Sequence, residues 1–135
     1  MGSEYSKKNT ILYDETIPFV PDVAGGVVVK VYDGDTFTLG FYQSYSKIPY
    51  RILVRLRGVD APELKDRDIR KMARARSSQR FLSSLILGRT VQLTNVSMEK
   101  YGRLLSDVYC DGVHINQLMV DEHYVVSYDG KRKSH

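Results

Sequence analysis

Residues 51–57, Arg-Ile-Leu-Val-Arg-Leu-Arg, constrain the fold of this chain more than any other stretch. Ile52, Val54 and Leu56 alternate with Arg51, Leu53, Arg55 and Arg57. Successive side chains on a β-strand point to opposite faces, so one face must meet a core while the other presents three guanidinium groups. A sheet or barrel buried on one side satisfies both demands.

The flanking sequence supplies partners for that strand. Residues 27–32 are β-branched and aromatic and predict a strand, and 35–42 predict its return, with Phe37, Leu39 and Phe41 on one face. Between them Asp33-Gly34 is a turn signal, read as a hairpin in which glycine supplies a positive φ. After a polar loop at 43–49 and the strand at 51–57, residues 58–63 break the pattern. Residues 67–87 predict a helix: Met72, Ala75, Gln79, Leu82 and Ile86 trace one stripe, joined by Ala73, Phe81 and Leu85, and Gly88 stops it. Strands follow at 90–96 and 104–110, then a turn at Asp111-Gly112 and a short helix at 115–122. This order predicts an α+β, mainly β, architecture: a five-stranded OB-fold barrel with a long helix between strands 3 and 4 and a short C-terminal helix. The domain is expected at residues 25–128. An N-terminal arm, residues 1–24, precedes it, and in that arm Ile17, Phe19 and Val20 are expected to pack as an added edge strand. A basic tail at 129–135 carries Lys131-Arg132-Lys133.

Composition narrows the chemistry. The 135 residues suit one domain, and 20 Lys+Arg against 16 Asp+Glu give +4, a mild bias toward polyanions. Cys110 stands alone, which excludes an intrachain disulfide framework. His114, His123 and His135 lack zinc spacing, and there is no glycine-rich nucleotide loop. No apolar run approaches the ~18 residues of a membrane span, and the polar N-terminus lacks a secretory apolar region, so an intracellular site is expected. Met1-Gly2-Ser3-Glu4-Tyr5-Ser6 fits the N-myristoylation pattern, with Lys7 and Lys8 behind it, so a weak membrane tether through Gly2 stands beside the reading of an ordinary polar start or a cloning remnant. Residues 65–80 hold seven Lys/Arg, read as a solvated helix face in preference to a nucleic-acid contact.

Three segments carry the chemistry: Asp33-Gly34-Asp35-Thr36, then Arg55-Leu56-Arg57-Gly58-Val59-Asp60-Ala61-Pro62-Glu63, then Lys100-Tyr101-Gly102-Arg103. Asp35, Asp60 and the backbone carbonyl of Ala61 can supply hard oxygen ligands, which select calcium or magnesium. Arginine suits phosphate because its planar fork bonds two oxygens at once and keeps its charge. Blander readings stand beside these: Asp33 as a turn residue, Asp60 and Glu63 as a helix capping box, Arg55 and Arg103 as solvated arginines.

All three segments, in this order around one predicted helix, resemble the staphylococcal-nuclease-like (thermonuclease) family from about residue 26 to residue 128. The resemblance implies a calcium-dependent endonuclease acting on DNA and RNA with little sequence preference and leaving 3′-phosphates. It implies calcium ligation by Asp35, Asp60 and the Ala61 carbonyl. Some relatives carry threonine at the Ala61 position, which a backbone ligand tolerates. Asp33 then supports the ligands from behind, Glu63 is the general base, and Arg55 and Arg103 clamp the phosphate. Lys100, Tyr101 and Tyr128 contact the nucleotide, and Tyr124 offers a second stacking ring. The alternative is a catalytically inactive OB-fold domain serving as a nucleic-acid-binding or scaffold module. The joint presence of Asp35, Arg55, Asp60, Glu63 and Arg103 favours the enzyme. Nothing in the sequence calls for an obligate protein partner.

Overall fold

The computed structural model describes residues 10–63 and 67–129. Its elements are β1 (Gly25–Val31), β2 (Thr36–Phe41), β3 (Tyr50–Leu56), α1 (Ile69–Ile86), β4 (Thr90–Met98), β5 (Leu104–Cys110) and α2 (Ile115–Asp121). Two-residue strands occur at Val59–Asp60, Val113–His114 and Val126–Ser127. The myristoylation pattern at Gly2, residue Lys65 and the basic run at 131–133 lie outside the described residues.

The five long strands run in the order β3-β2-β1-β4-β5, and a parallel pairing of β3 with β5 closes the ring into a barrel of OB type. Inside it, Val28, Phe37, Leu39, Val54, Leu56, Val91, Leu104 and Val108 are fully buried, as the period-two pattern requires. Helix α1 plugs one end with Ala75, Ser78, Leu82 and Ile86. The predicted stripe holds at Ala75, Leu82 and Ile86, while Ala73 is exposed and Ser78 joins the buried set. Asp68 caps the helix, its carboxylate accepting from Arg70 N–H at 2.9 Å, so Asp60 and Glu63 do not form that cap. Helix α2 is fixed by Asn116, which accepts from Val108 N–H and donates to the Arg57 and Ser106 carbonyls.

Two expectations are corrected. The arm forms no strand between residues 10 and 24 beyond a 3-10 turn at Tyr13–Glu15; Ile17 and Phe19 are mostly exposed, and Val23 alone of that stretch joins the core. Edge pairing at Pro18 and Pro21 would lack two backbone donors, which disfavours it. Gly34 does not take a positive φ. Its lack of a side chain serves close packing instead, because a Cβ there would lie 1.7 Å from Ser78 Oγ.

Candidate active site

Strand register gathers the site at one end of the barrel. Thr36 of β2 faces Arg55 of β3, so Asp35, one residue earlier, sits beside the end of β3, where its carbonyl accepts from Leu56 N–H at 2.8 Å. The parallel pairing sets Arg55 opposite Leu105, which brings the β4–β5 turn, and Arg103 with it, to the same end. Val59–Asp60 pairs with Val126–Ser127, and Tyr128 N–H donates to the Gly58 carbonyl at 2.8 Å, drawing Tyr128 in from the C-terminal side. The result is a cleft of about 730 Å³ whose walls include Asp33, Asp35, Arg55, Asp60, Ala61, Glu63, Arg103 and Tyr128.

Arg55 is the hub. Its Nη2 donates to Asp35 Oδ2 at 3.3 Å and Asp60 Oδ1 at 3.1 Å, and its Nη1 donates to the Val59 carbonyl at 3.0 Å. The guanidinium also lies 5.9 Å from the centre of the Tyr128 ring. All three charged side chains are about nine-tenths buried, so their attraction is weakly screened by solvent. Asp35 is held further by the Thr36 hydroxyl at 2.8 Å and Ala61 N–H at 2.9 Å. Asp33 accepts from Asp35 N–H at 3.1 Å. Burial pushes the Asp33 carboxyl from 3.8 up to about 7, and the adjoining Asp35 carboxyl adds to the rise. Asp33 therefore closes the turn through the backbone of Asp35.

Arg103 follows the turn at Gly102, whose φ of +86° suits glycine. Its Nε lies 2.9 Å from Glu99 Oε1, an ion pair in which Oε1 accepts no hydrogen bond, and its Nη1/Nη2 fork can serve a planar oxyanion. Glu99 went unnoticed in the sequence, although an acid four residues before the arginine in a short turn was the available signal. Arg57, another arginine of the strand face, is tied down rather than solvated. Its side chain donates to the Asn95 carbonyl, Ser97 Oγ at 2.6 Å and the Leu105 carbonyl at 3.0 Å, tying β3 to β4 and β5. Lys100 and Tyr101 are exposed on the turn and do not line the cleft. Tyr124 is stacked on Phe81, ring centres 4.2 Å apart, so one of its faces is already covered.

The family model described as staphylococcal nuclease homologue matches residues 53–135. This chain belongs to the staphylococcal nuclease family. Within that nuclease family, a protein of Escherichia coli named an uncharacterized endonuclease is 36% identical over 96 residues, 70% of this chain and 55% of its own. A protein of Oryza sativa subsp. japonica named a probable staphylococcal-like nuclease is 38% identical over 71 residues, 53% of this chain and 17% of its own. A probable endonuclease of Coccidioides posadasii (strain C735) is 33% identical over 100 residues, 62% of this chain and 32% of its own. The chain thus spans about half the length of the E. coli relative, and less of the others.

The family's metal can be weighed against these side chains. Asp35 and Asp60 converge on one guanidinium, and Asp33 and Ala61 line the same cleft. The donor set is all oxygen, without His or Cys, which fits a hard cation such as calcium. Among the described residues no three His, Cys, Asp or Glu side chains gather to hold a metal by themselves. A calcium ion there would draw the rest of its shell from backbone carbonyl, substrate and water. No helix among the described residues is long and apolar enough to cross a membrane.

Proposed function

We propose that this domain is a calcium-dependent endonuclease that hydrolyses phosphodiester bonds of DNA and RNA with little sequence preference and leaves 3′-phosphates. The observation that carries the reading is one cleft walled by Asp35, Asp60, Arg55, Glu63 and Arg103. Asp35, Asp60 and the Ala61 carbonyl would hold the calcium, whose charge would favour an anionic phosphate and a more acidic water.

Glu63, exposed at the rim of the cleft, accepts the proton of the attacking water. The Nη fork of Arg103 bonds two phosphoryl oxygens and gains strength as charge builds on them in the transition state. Arg55 Nη2 is shared between Asp35 and Asp60, so a bound phosphate competes with two carboxylates for it. The new bond joins water oxygen to phosphorus, the bond to the 5′ oxygen breaks, and that oxygen takes a proton from solvent water as Glu63 returns its own to solvent. Tyr128 offers a ring on which any base can stack, which suits low sequence preference. Lys100 and Tyr101, exposed outside the cleft wall, would meet the strand beyond the reacting nucleotide.

The test is cleavage of single-stranded DNA, double-stranded DNA and RNA with calcium or with excess chelator. Cleavage only with calcium supports the reading. Binding without cleavage under calcium and magnesium alike would move the domain to the inactive binding class.

A further inference from the structure

A second hollow of about 460 Å³ lies beside the cleft, and Asp60, Ala61 and Glu63 form a wall common to both. Lys71 and Arg74 of α1 also line it, with His123 and the carbon-rich Pro62, Tyr124 and Val125. The groove thus sets two cations on its α1 side against the two carboxylates of the shared wall, and a nucleotide can turn its phosphate to the cations and its sugar or base to the carbons.

The helix behind it is unusual in its charge. From Ile69 to Ile86 it carries Arg70, Lys71, Arg74, Arg76 and Arg80 and no acid at all. Arg70 and Lys71 stand in its first turn, where the helix dipole repels cations. Arg70 and Arg74, and Arg76 and Arg80, are like charges four residues apart, which also weakens a helix. An ordinary solvated face intersperses both signs. Apart from the Asp68 cap just before it, this helix keeps only one sign, at a cost in its own stability.

We propose that this groove is a second subsite, in which Lys71 and Arg74 bind a phosphate-bearing nucleotide of the substrate strand continuing from the cleft over Glu63. This rests on the nuclease reading for the identity of the strand, and it replaces the solvated-face reading of Lys71 and Arg74.

The test measures binding by fluorescence anisotropy in excess chelator, so that cleavage plays no part. The probes are a long single-stranded DNA oligonucleotide and a dinucleotide. Lys71→Ala/Arg74→Ala is compared with Arg76→Ala/Arg80→Ala, which removes the same charge from the same helix outside the groove. For the groove pair, the slope of log affinity against log salt on the long probe falls by about 1.4, two single-strand phosphates at ~0.7 each. The control pair changes it far less, and the dinucleotide distinguishes neither pair from the parent. Equal losses for the two pairs, or no binding of the long probe by the parent, overturn the subsite. A parent that binds the long probe through Lys71 and Arg74 but never cleaves with calcium leaves the subsite standing and sinks the nuclease reading alone.

Discussion

Arg103 and Glu99 form an ion pair across the β4–β5 turn, with Nε 2.9 Å from Oε1, inside the cleft that also holds Arg55. The two charges attract at close range, although Oε1 accepts no hydrogen bond, so the pairing biases where the guanidinium lies without locking it. Glu99 orients an arginine rather than touching a phosphate. Glu99→Gln is expected to lower kcat/KM about tenfold, the scale typical of residues that orient a working group. Arg103→Ala should cost about a hundredfold or more. The double variant should be no worse than Arg103→Ala, since Glu99 then has nothing to orient; additive losses in steady-state kinetics would show an independent role.

Arg55→Ala will not be structurally silent. It leaves Asp35 and Asp60, both nearly buried, without the cation between them, and removing one partner of such a group costs about 3 kcal/mol. Urea unfolding in chelator should show that loss, and added calcium should restore part of it, because a ligand of the native state raises its stability. Glu63→Gln, at an exposed position, should abolish cleavage with an unchanged unfolding curve. An Arg55→Ala midpoint indifferent to calcium would argue against a cation between the two aspartates.

Gly34→Ala places a methyl group 1.7 Å from Ser78 Oγ and 2.8 Å from Ser78 Cβ. The hairpin bearing Asp33 and Asp35 must then lift from α1, at a cost of about 1–3 kcal/mol. Calorimetry should show a lower Tm and calcium titration a weaker affinity. Ser78→Ala, added to it, should recover part of both by removing the nearer atom.

Asn116→Ala removes one acceptor and two donors that serve Val108 N–H and the Arg57 and Ser106 carbonyls. The orphaned backbone groups should cost about 3 kcal/mol in urea unfolding. Below the unfolding transition, cleavage should stay near normal, because Asn116 lies outside the cleft wall.

Local pattern revealed the elements, and motif spacing revealed the centre of the site. Alternation at 51–57 located β3 and put Arg55 on the face away from Val54 and Leu56. The same alternation could not tell Arg55 from Arg57. Their difference lies in what faces them: Asp35 of the β1–β2 turn and Asp60 for one, Asn95, Ser97 and Leu105 for the other. Apart from Asp60, five residues on from Arg55, those neighbours come from distant segments, so no local window contains them. Lys100 and Tyr101 adjoin Arg103 in sequence yet stand outside the cleft, since a tight turn aims consecutive side chains differently. Gly34 reads as a turn glycine by type, and only the approach of Ser78 from α1 explains it.

The parallel pairing of β3 with β5, Val54 with Leu104 and Arg55 with Leu105, is the seam that closes the barrel. It joins segments separated by α1 and a whole strand, so its loop-closure entropy is among the largest in the chain. The β1–β2 and β2–β3 hairpins, and the β4–β5 hairpin, each need only local contacts. Arg55 and Arg103 sit on opposite sides of that seam, and neither hairpin group alone brings them together. During refolding, then, circular dichroism should recover before cleavage does, and the lag between them times the moment at which the two halves of the barrel meet.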